Sequence, residues 1–152
     1  MDNALRELYQ EVILDHSRHP RHHGVLESAS HKAEGYNPLC GDRVTVYLRL
    51  DADSRVDDIS FQGKGCAISQ ASASMMTQLL KGRSQADAER LMSGFLNLVK
   101  GQDAPGLSED DRETLNVMSG ISAFPMRVKC ATLAWHTYKN AVEEGKKEEG
   151  AT

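Results

Sequence analysis

The chain of 152 residues carries a formal net charge of −4 at pH 7, and 39% of its residues are hydrophobic. This length suits one domain with a modest core, and no apolar run approaches the ~20 residues that cross a bilayer. No long stripe of Lys and Arg is present to bind phosphates, which argues against a nucleic-acid partner. The first residues show no secretory signal, and 3 cysteines are an odd number for a secreted disulfide scaffold, so we expect a cytoplasmic protein without a membrane partner.

The first half of the chain predicts one helix followed by a small antiparallel sheet. Apolar residues recur at helical spacing from Leu5 to His16, and Pro20 requires this helix to stop. Residues 43–50 alternate apolar and polar side chains, and a second alternating run starts at Val56. Turn residues at 51–54 join the two runs into a hairpin, and a further strand is predicted around residues 32–36.

The second half of the chain predicts several helices. One follows Cys66, another begins at Ser84 with the start signal S-x-x-D, a third opens at Ser108, and the last runs from about Cys130. Strands segregated from helices indicate an α+β domain with a small antiparallel sheet of about three strands. We expect residues 1–143 to form a single domain and the charged, glycine-spaced residues 144–152 to be a disordered tail.

The predicted hairpin brings candidate metal ligands to one end of the sheet. With the turn centred between residues 52 and 53, Asp42 faces Gly63 across the hairpin. Cys40 and Asp42 then lie just before the first strand of the hairpin, and Cys66 lies just past the end of the second. The three side chains therefore meet at the same end of the sheet, where neighbouring glycines let the backbone approach a metal.

Cys130 completes a candidate set of three thiolates and one carboxylate. Cys66 and Cys130 each lie near the predicted start of a helix, where free amides favour a thiolate. Such a set suits tetrahedral Zn²⁺, although a carboxylate is a harder ligand than those of most structural zinc sites. A single cysteine in a reducing compartment is, however, more often a buried small residue, and the chain has no CxxC pair. The residues alone leave a metal site and buried cysteines as open alternatives.

Four motifs resemble the U-type iron–sulfur assembly proteins, the IscU and SufU group. In chain order they are residues 19–24 (HPRHHG), 40–42 (CGD), 63–66 (GKGC) and 127–135 (RVKCATLAW). Each motif is weak alone, but their order and their spread over nearly the whole chain are specific. The resemblance implies an IscU/SufE-like α+β fold and one metal site formed by its ligands Cys40, Asp42, Cys66 and Cys130.

Within this family the chain is similar to the SufU branch. IscU-type scaffolds carry His immediately before the third cysteine, where this chain has Lys129, and they have a shorter segment between the second and third cysteines. The resemblance implies bound Zn²⁺ and sulfur transfer from a SufS-type, pyridoxal-phosphate-dependent cysteine desulfurase. Cys40, displaced from the metal by a desulfurase histidine, is then the nucleophile that accepts the sulfur. Arg127 is a candidate support for the anionic site, and downstream SUF scaffold proteins are the expected recipients.

Two rival functions use the same residues. In the first, the protein is a scaffold on which a [2Fe–2S] cluster is assembled and then transferred to other proteins. In the second, the zinc site is structural and the protein is an allosteric partner of the desulfurase. Lys129 in the position of the scaffold histidine favours sulfur transfer over the first rival.

Overall fold

The computed structural model describes residues 3–38 and 41–143. Cys40 and the predicted tail at 144–152 lie outside the described residues. None of the described helices is both long enough and apolar enough to span a membrane. The elements, in chain order, are α1 (Asn3–Arg18), β1 (His31–Asn37), β2 (Asp42–Leu50), β3 (Val56–Lys64), α2 (Ala67–Leu80), α3 (Gln85–Val99), α4 (Glu109–Leu115), a 3-10 helix (Asn116–Ala123) and α5 (Pro125–Glu143).

The three strands form one antiparallel sheet in the order β1-β2-β3, which confirms the predicted α+β class. The predicted register is wrong by two residues, because Gly63 pairs with Val44 and not with Asp42. The difference arises in the turn, where Oδ1 of Asp51 accepts hydrogen bonds of 2.9 Å from the amides of Asp53 and Arg55. These bonds hold a longer loop than the tight turn that was expected, and a register irregularity follows at Arg49/Leu50.

Helices α2 and α5 pack together beside the sheet, and a buried serine connects them. The hydroxyl of Ser72 accepts a hydrogen bond of 3.0 Å from Nε1 of Trp135 and donates one of 2.5 Å to the carbonyl of Ala131. The ring of Trp135 also stacks on Phe95 of α3, with centroids 4.4 Å apart. On the sheet side, a Cβ atom at Gly35 would collide with Oγ1 of Thr137, so α5 approaches β1 closely. This packing sets the position of the first turns of both helices.

Two helix starts follow the predicted signals, and one does not. Ser84 and Ser108 cap α3 and α4, and each side chain accepts a hydrogen bond from the amide three residues later. The last helix begins at Pro125 and not at Cys130, since proline is well suited to the first helical position. Cys130 therefore lies in the second turn of α5, beyond the free amides of its start.

Candidate metal centre

Three elements place a carboxylate and two thiols together at one end of the sheet. One ligand atom each from Asp42, Cys66 and Cys130 lies within 4.8 Å of the other two. Asp42 begins β2, Cys66 ends the loop after β3, and Cys130 comes from α5. The structure thus brings together all of the predicted ligands that it describes. Cys40 precedes Asp42 by two residues and stays a sequence-based prediction.

Asp42 is fully buried and has one oxygen free for a ligand. Its Oδ1 atom accepts a hydrogen bond of 3.0 Å from the backbone amide of Cys66. Its Oδ2 atom is buried and has no hydrogen-bond partner among the described residues. A buried carboxylate oxygen without a partner is costly, because it has lost its water and gained nothing in return. A bound cation removes that cost, so this oxygen fits a metal ion.

Cys66 is the exposed candidate ligand and occupies the N-cap position of α2. Its Sγ atom accepts a hydrogen bond of 3.4 Å from the amide of Ser69. The predicted position of Cys66 at the start of a helix is therefore confirmed. The centre is therefore open to a partner on the Cys66 side.

Cys130 is the buried candidate ligand, with a relative exposure of 3%. The Nδ2 atom of Asn37, at the end of β1, lies 4.0 Å from its Sγ atom. The expectation that a helix start supports Cys130 is wrong, because α5 begins five residues earlier at Pro125. The Cys130 thiol is instead buried and lies beside the side-chain amide of Asn37.

Gly65 provides the space in which the centre forms. A Cβ atom at this position would lie 2.6 Å from Oδ1 of Asp42 and 3.2 Å from Cβ of Ser69. Any larger residue would therefore push the carboxylate away from Cys66. The sequence showed that a glycine precedes Cys66, but the contact that requires it becomes visible only when β2 and α2 are placed together.

Arg127 lies in the first turn of α5 and is exposed. Its guanidinium group stacks over the ring of Phe124 at 4.9 Å from the centroid. It makes no ion pair with any described residue. The suggestion that it supports the anionic site stays a prediction, although its position three residues before Cys130 is compatible with that role.

The sulfur and oxygen atoms of the candidate ligands limit which metal ions could bind. Two thiols and a carboxylate oxygen, joined by a further thiol close in sequence, match the sulfur and oxygen ligands of Zn²⁺. Cysteine-rich sets also hold iron–sulfur clusters, so the ligands alone leave the identity of the metal open. The class defined by the fold and the site is a small α+β protein with an accessible candidate metal centre.

Comparison with known proteins gives the family. Residues 8–131 match the family described as NifU-like N terminal domain, and the chain belongs to this family. It is 42% identical to the zinc-dependent sulfurtransferase SufU of Bacillus subtilis (strain 168), over 96% of this chain and 95% of the relative. It is 40% identical to the iron–sulfur cluster assembly scaffold protein IscU of Streptococcus pyogenes serotype M1, over 93% of this chain and 86% of the relative.

A solved structure supports the same assignment. The crystal structure of FiSufU, a candidate iron–sulfur cluster assembly scaffold protein for the SUF system from Fervidobacterium islandicum AW-1, superposes with a TM-score of 0.81. That protein is 35% identical to this chain, and the match covers 91% of this chain and 98% of FiSufU. The predicted membership of the U-type family, with its IscU/SufU-like fold, is therefore confirmed.

Proposed function

We propose that this protein is a zinc-dependent sulfur acceptor for iron–sulfur cluster assembly. It takes sulfur from a SufS-type, pyridoxal-phosphate-dependent cysteine desulfurase in the cytoplasm and passes it towards SUF scaffold proteins. The observation that carries the proposal is the buried, unpartnered Oδ2 atom of Asp42 beside two cysteine thiols. The similarity to the Bacillus relative, which is named a zinc-dependent sulfurtransferase, supports the same reaction.

Each ligand has a distinct role in this proposal. Asp42, Cys66 and Cys130 would hold the zinc ion when Cys40 is released from it, and the bound ion would supply positive charge that favours the thiolate form of a neighbouring thiol. The Cys40 thiolate attacks the terminal sulfur of the desulfurase persulfide. A sulfur–sulfur bond forms at Cys40, the old one breaks, and the desulfurase cysteine leaves as a thiolate. No external oxidant or reductant is needed, because the sulfur moves between two thiols.

The second candidate function is a scaffold for a [2Fe–2S] cluster. The similarity to the IscU scaffold of Streptococcus pyogenes favours it, and the same four ligands would hold the cluster. Lys129 counts against the scaffold function. It is exposed beside Cys130, in the position where IscU-type scaffolds carry a histidine. Absorption spectroscopy separates the two functions, since a scaffold isolated with its cluster is brown and a zinc protein is colourless.

The experiment that tests sulfur acceptance compares the wild-type protein with the Cys40→Ala variant. Both are incubated with the desulfurase and cysteine, and protein-bound persulfide is located by mass spectrometry after trapping with an alkylating reagent. We expect a persulfide at Cys40 in the wild type and no stimulation of turnover by the variant. If Cys40→Ala retains its zinc and stimulates turnover as strongly as the wild type, the protein is an allosteric partner and not an acceptor.

A further inference from the structure

The motif at residues 19–24 (HPRHHG) lies against β3, which is an edge strand of the sheet. The amide of Phe61 in β3 donates a hydrogen bond of 3.1 Å to the carbonyl of His22. The amide of Gly24 donates one of 2.8 Å to the carbonyl of Phe61. The motif therefore extends the sheet by one short parallel bridge and covers the middle of its free edge.

Two hydroxyl groups of α2 hold the other side of the motif. Oγ of Ser74 accepts a hydrogen bond of 2.8 Å from the backbone amide of Arg21 and lies 2.8 Å from Nδ1 of His16. Oγ1 of Thr77, nearly one turn further along α2, lies 3.1 Å from Nδ1 of His22 and 3.2 Å from the carbonyl oxygen of Arg21. Ser74 and Thr77 are fully buried, where hydroxyl groups need such partners.

The three histidines of the motif do not converge on an ion. Nδ1 of His22 is directed at Thr77, whereas the ring of His23 packs edge-on against Phe61, with centroids 5.2 Å apart. His19 is exposed at the start of the motif. Among the described residues, the candidate centre is the one place where three Cys, His, Asp or Glu ligand atoms lie close enough to hold an ion. The contacts of the motif therefore connect β3 to α2 and do not form a second metal site.

The two elements that the motif connects lead directly into the candidate ligand Cys66. Only Gly65 and Cys66 separate β3 from α2. Such a short connection with a glycine does not by itself fix the angle between a strand and a helix. The motif joins the same two elements a second time, at Phe61 and at Ser74. Its bonds therefore limit how far the N-terminus of α2 moves relative to the sheet.

Opposite faces of α2 are held to different parts of the centre. Ser72 bonds to α5, which carries Cys130. Ser74 projects from the other side of the helix, because two residues turn an α-helix by about 200°. It is bonded to the motif and, through the motif, to the sheet that carries Asp42. Cys66, at the N-cap of the same helix, donates its amide to Oδ1 of Asp42.

We propose that residues 19–24 position Cys66 against Asp42, and that His22 and Thr77 are positioning residues for the candidate metal centre. The motif holds β3 and α2 together, and the N-terminus of α2 then presents the amide and the thiol of Cys66 to the centre. Thr77 lies about 16 Å along α2 from Cys66, so its effect on the centre passes through the helix. This inference rests on the candidate centre but not on the sulfur-transfer reaction.

The test removes one bond of the motif and follows the hydrogen bond between Cys66 and Asp42. Thr77→Val replaces the hydroxyl by a methyl group, whereas Thr77→Ser keeps the hydroxyl and is the matched control. Hydrogen exchange of the Cys66 amide is measured by NMR in the metal-free protein. The amide of Gln102, bonded at 2.8 Å to the carbonyl of Asn97, is the reference. We expect exchange at Cys66 to be about three- to tenfold faster in Thr77→Val and unchanged in Thr77→Ser, with Gln102 unchanged in both.

Zinc affinity, measured by competition with a chelator, is the second readout. We expect Thr77→Val to bind zinc about three- to tenfold more weakly, which is less than the roughly 10- to 100-fold loss typical of a direct neighbour of a ligand. His22→Gly should act in the same direction, since it removes the imidazole and tolerates the positive φ of 54° at this position. Because His22 is only half-buried, this variant tests the proposal even if Thr77→Val does not fold.

Leu107→Ala is the control for lost stability alone. Leu107 is buried against Gly94 of α3, so the variant leaves a cavity that lowers the unfolding temperature and does not touch the motif. We expect it to change neither exchange at Cys66 nor zinc affinity.

The outcomes separate this proposal from the proposed function. If Thr77→Val and His22→Gly exchange the Cys66 amide at the wild-type rate, the motif does not position Cys66 and the proposal is wrong. It is also wrong if Leu107→Ala speeds exchange at Cys66 as much as Thr77→Val does, because the effect then reflects lost stability. If Thr77→Val speeds exchange at Cys66 but the wild type binds no zinc, the positioning role stands and the zinc-dependent function fails.

Discussion

The backbone amide of Cys66 donates a hydrogen bond of 3.0 Å to Oδ1 of Asp42. This contact joins the end of the loop after β3 to the first residue of β2, and it does not involve the thiol. Because Oδ1 is engaged, the buried Oδ2 atom is the oxygen left for a metal ion. The carboxylate is therefore oriented by the fold before any ion binds.

Replacing Asp42 with Asn should have opposite effects on the metal-free and the zinc-loaded protein. Asn keeps an oxygen to accept from the Cys66 amide but removes the buried charge and the free carboxylate oxygen. We expect the metal-free variant to unfold at the same temperature as the wild type or a higher one, because burying a neutral amide costs less than burying a carboxylate. The zinc affinity should fall by about tenfold or more, so zinc should raise the unfolding temperature of the variant less.

Both quantities follow from thermal unfolding with and without zinc, combined with competition against a chelator. Asp42→Ala is the comparison variant, because it removes the acceptor of the Cys66 amide as well as the charge. It should destabilise even the metal-free protein. If Asp42→Asn binds zinc as tightly as the wild type, the aspartate is not a ligand.

A methyl group at Gly65 should damage the centre without contacting the metal. The added Cβ atom would lie 2.6 Å from Oδ1 of Asp42, and the carboxylate would have to move. We expect Gly65→Ala to destabilise the protein by about 1–3 kcal/mol and to weaken zinc binding. Gly120→Ala is the control, since a Cβ atom there meets nothing within 4 Å. Equal zinc affinity of Gly65→Ala and the wild type would show that the carboxylate position is not critical.

The two described cysteines should differ in their reactivity once zinc is removed. Cys66 is exposed, whereas Cys130 has a relative exposure of 3%. In the metal-free protein we expect iodoacetamide to modify Cys66 rapidly and Cys130 only on unfolding, as measured by mass spectrometry of peptides. Zinc should slow the modification of Cys66 because a bound thiolate is a poorer nucleophile. Modification of Cys66 at the same rate with and without zinc would contradict its role as a ligand.

The stability of the protein should fall at mildly acidic pH because of His16. This residue is 8% exposed, and its Nδ1 atom lies 2.8 Å from Oγ of Ser74. Burial lowers the pKa of His16 below its ordinary value of 6.5, and the nearby charge of Arg21 lowers it further. The unfolded chain therefore binds a proton at a higher pH than the folded chain does. The contribution of His16 is fully present above pH 6.5 and is lost as the pH falls from there towards the folded-state pKa.

The His16→Gln variant tests this dependence. The free energy of unfolding is measured by denaturant titration across the mildly acidic range, and we expect its decline to be shallower in the variant than in the wild type. His19→Gln, at an exposed position in the loop after α1, is the control. The pKa of His136 is also lowered, by burial and then by Lys100 and Lys139, so His136 contributes to the same pH dependence. The test therefore compares the variant with the wild type and does not interpret the pH dependence of one protein alone. Identical slopes for His16→Gln and the wild type would contradict the account.

Much of the fold was predictable because the sequence patterns of the individual helices and strands agree with the way in which these elements pack. The alternation of residues 43–50 and the run from Val56 predicted β2 and β3, the strand expected around residues 32–36 is β1, and Ser84 predicted the start of α3. The errors arose where a single side chain changes the local structure that the sequence pattern otherwise favours. Asp51 lengthens the turn of the hairpin, and Pro125 starts α5 one and a half turns before Cys130.

Asp42, Cys66 and Cys130, the candidate ligands that the structure describes, were predictable as residues, but their contacts were not. The topology alone placed Asp42 and Cys66 at one end of the sheet, and it did so in spite of the wrong register. Bringing in Cys130 required the family resemblance, because its separation from the other cysteines carries no geometric information. The contact that requires Gly65 was not predicted, because it forms only when β2 and the start of α2 are placed together.

The central claim is that zinc at Asp42, Cys66 and Cys130 makes this protein a working sulfur acceptor. The most direct measurement is cysteine desulfurase turnover with the protein as purified, after zinc is stripped, and after zinc is restored. We predict strong stimulation by the purified protein, loss of stimulation on stripping, and recovery with zinc. The account is contradicted if zinc blocks activity and the stripped protein takes up iron and sulfide to form a coloured cluster, because the protein would then be a scaffold.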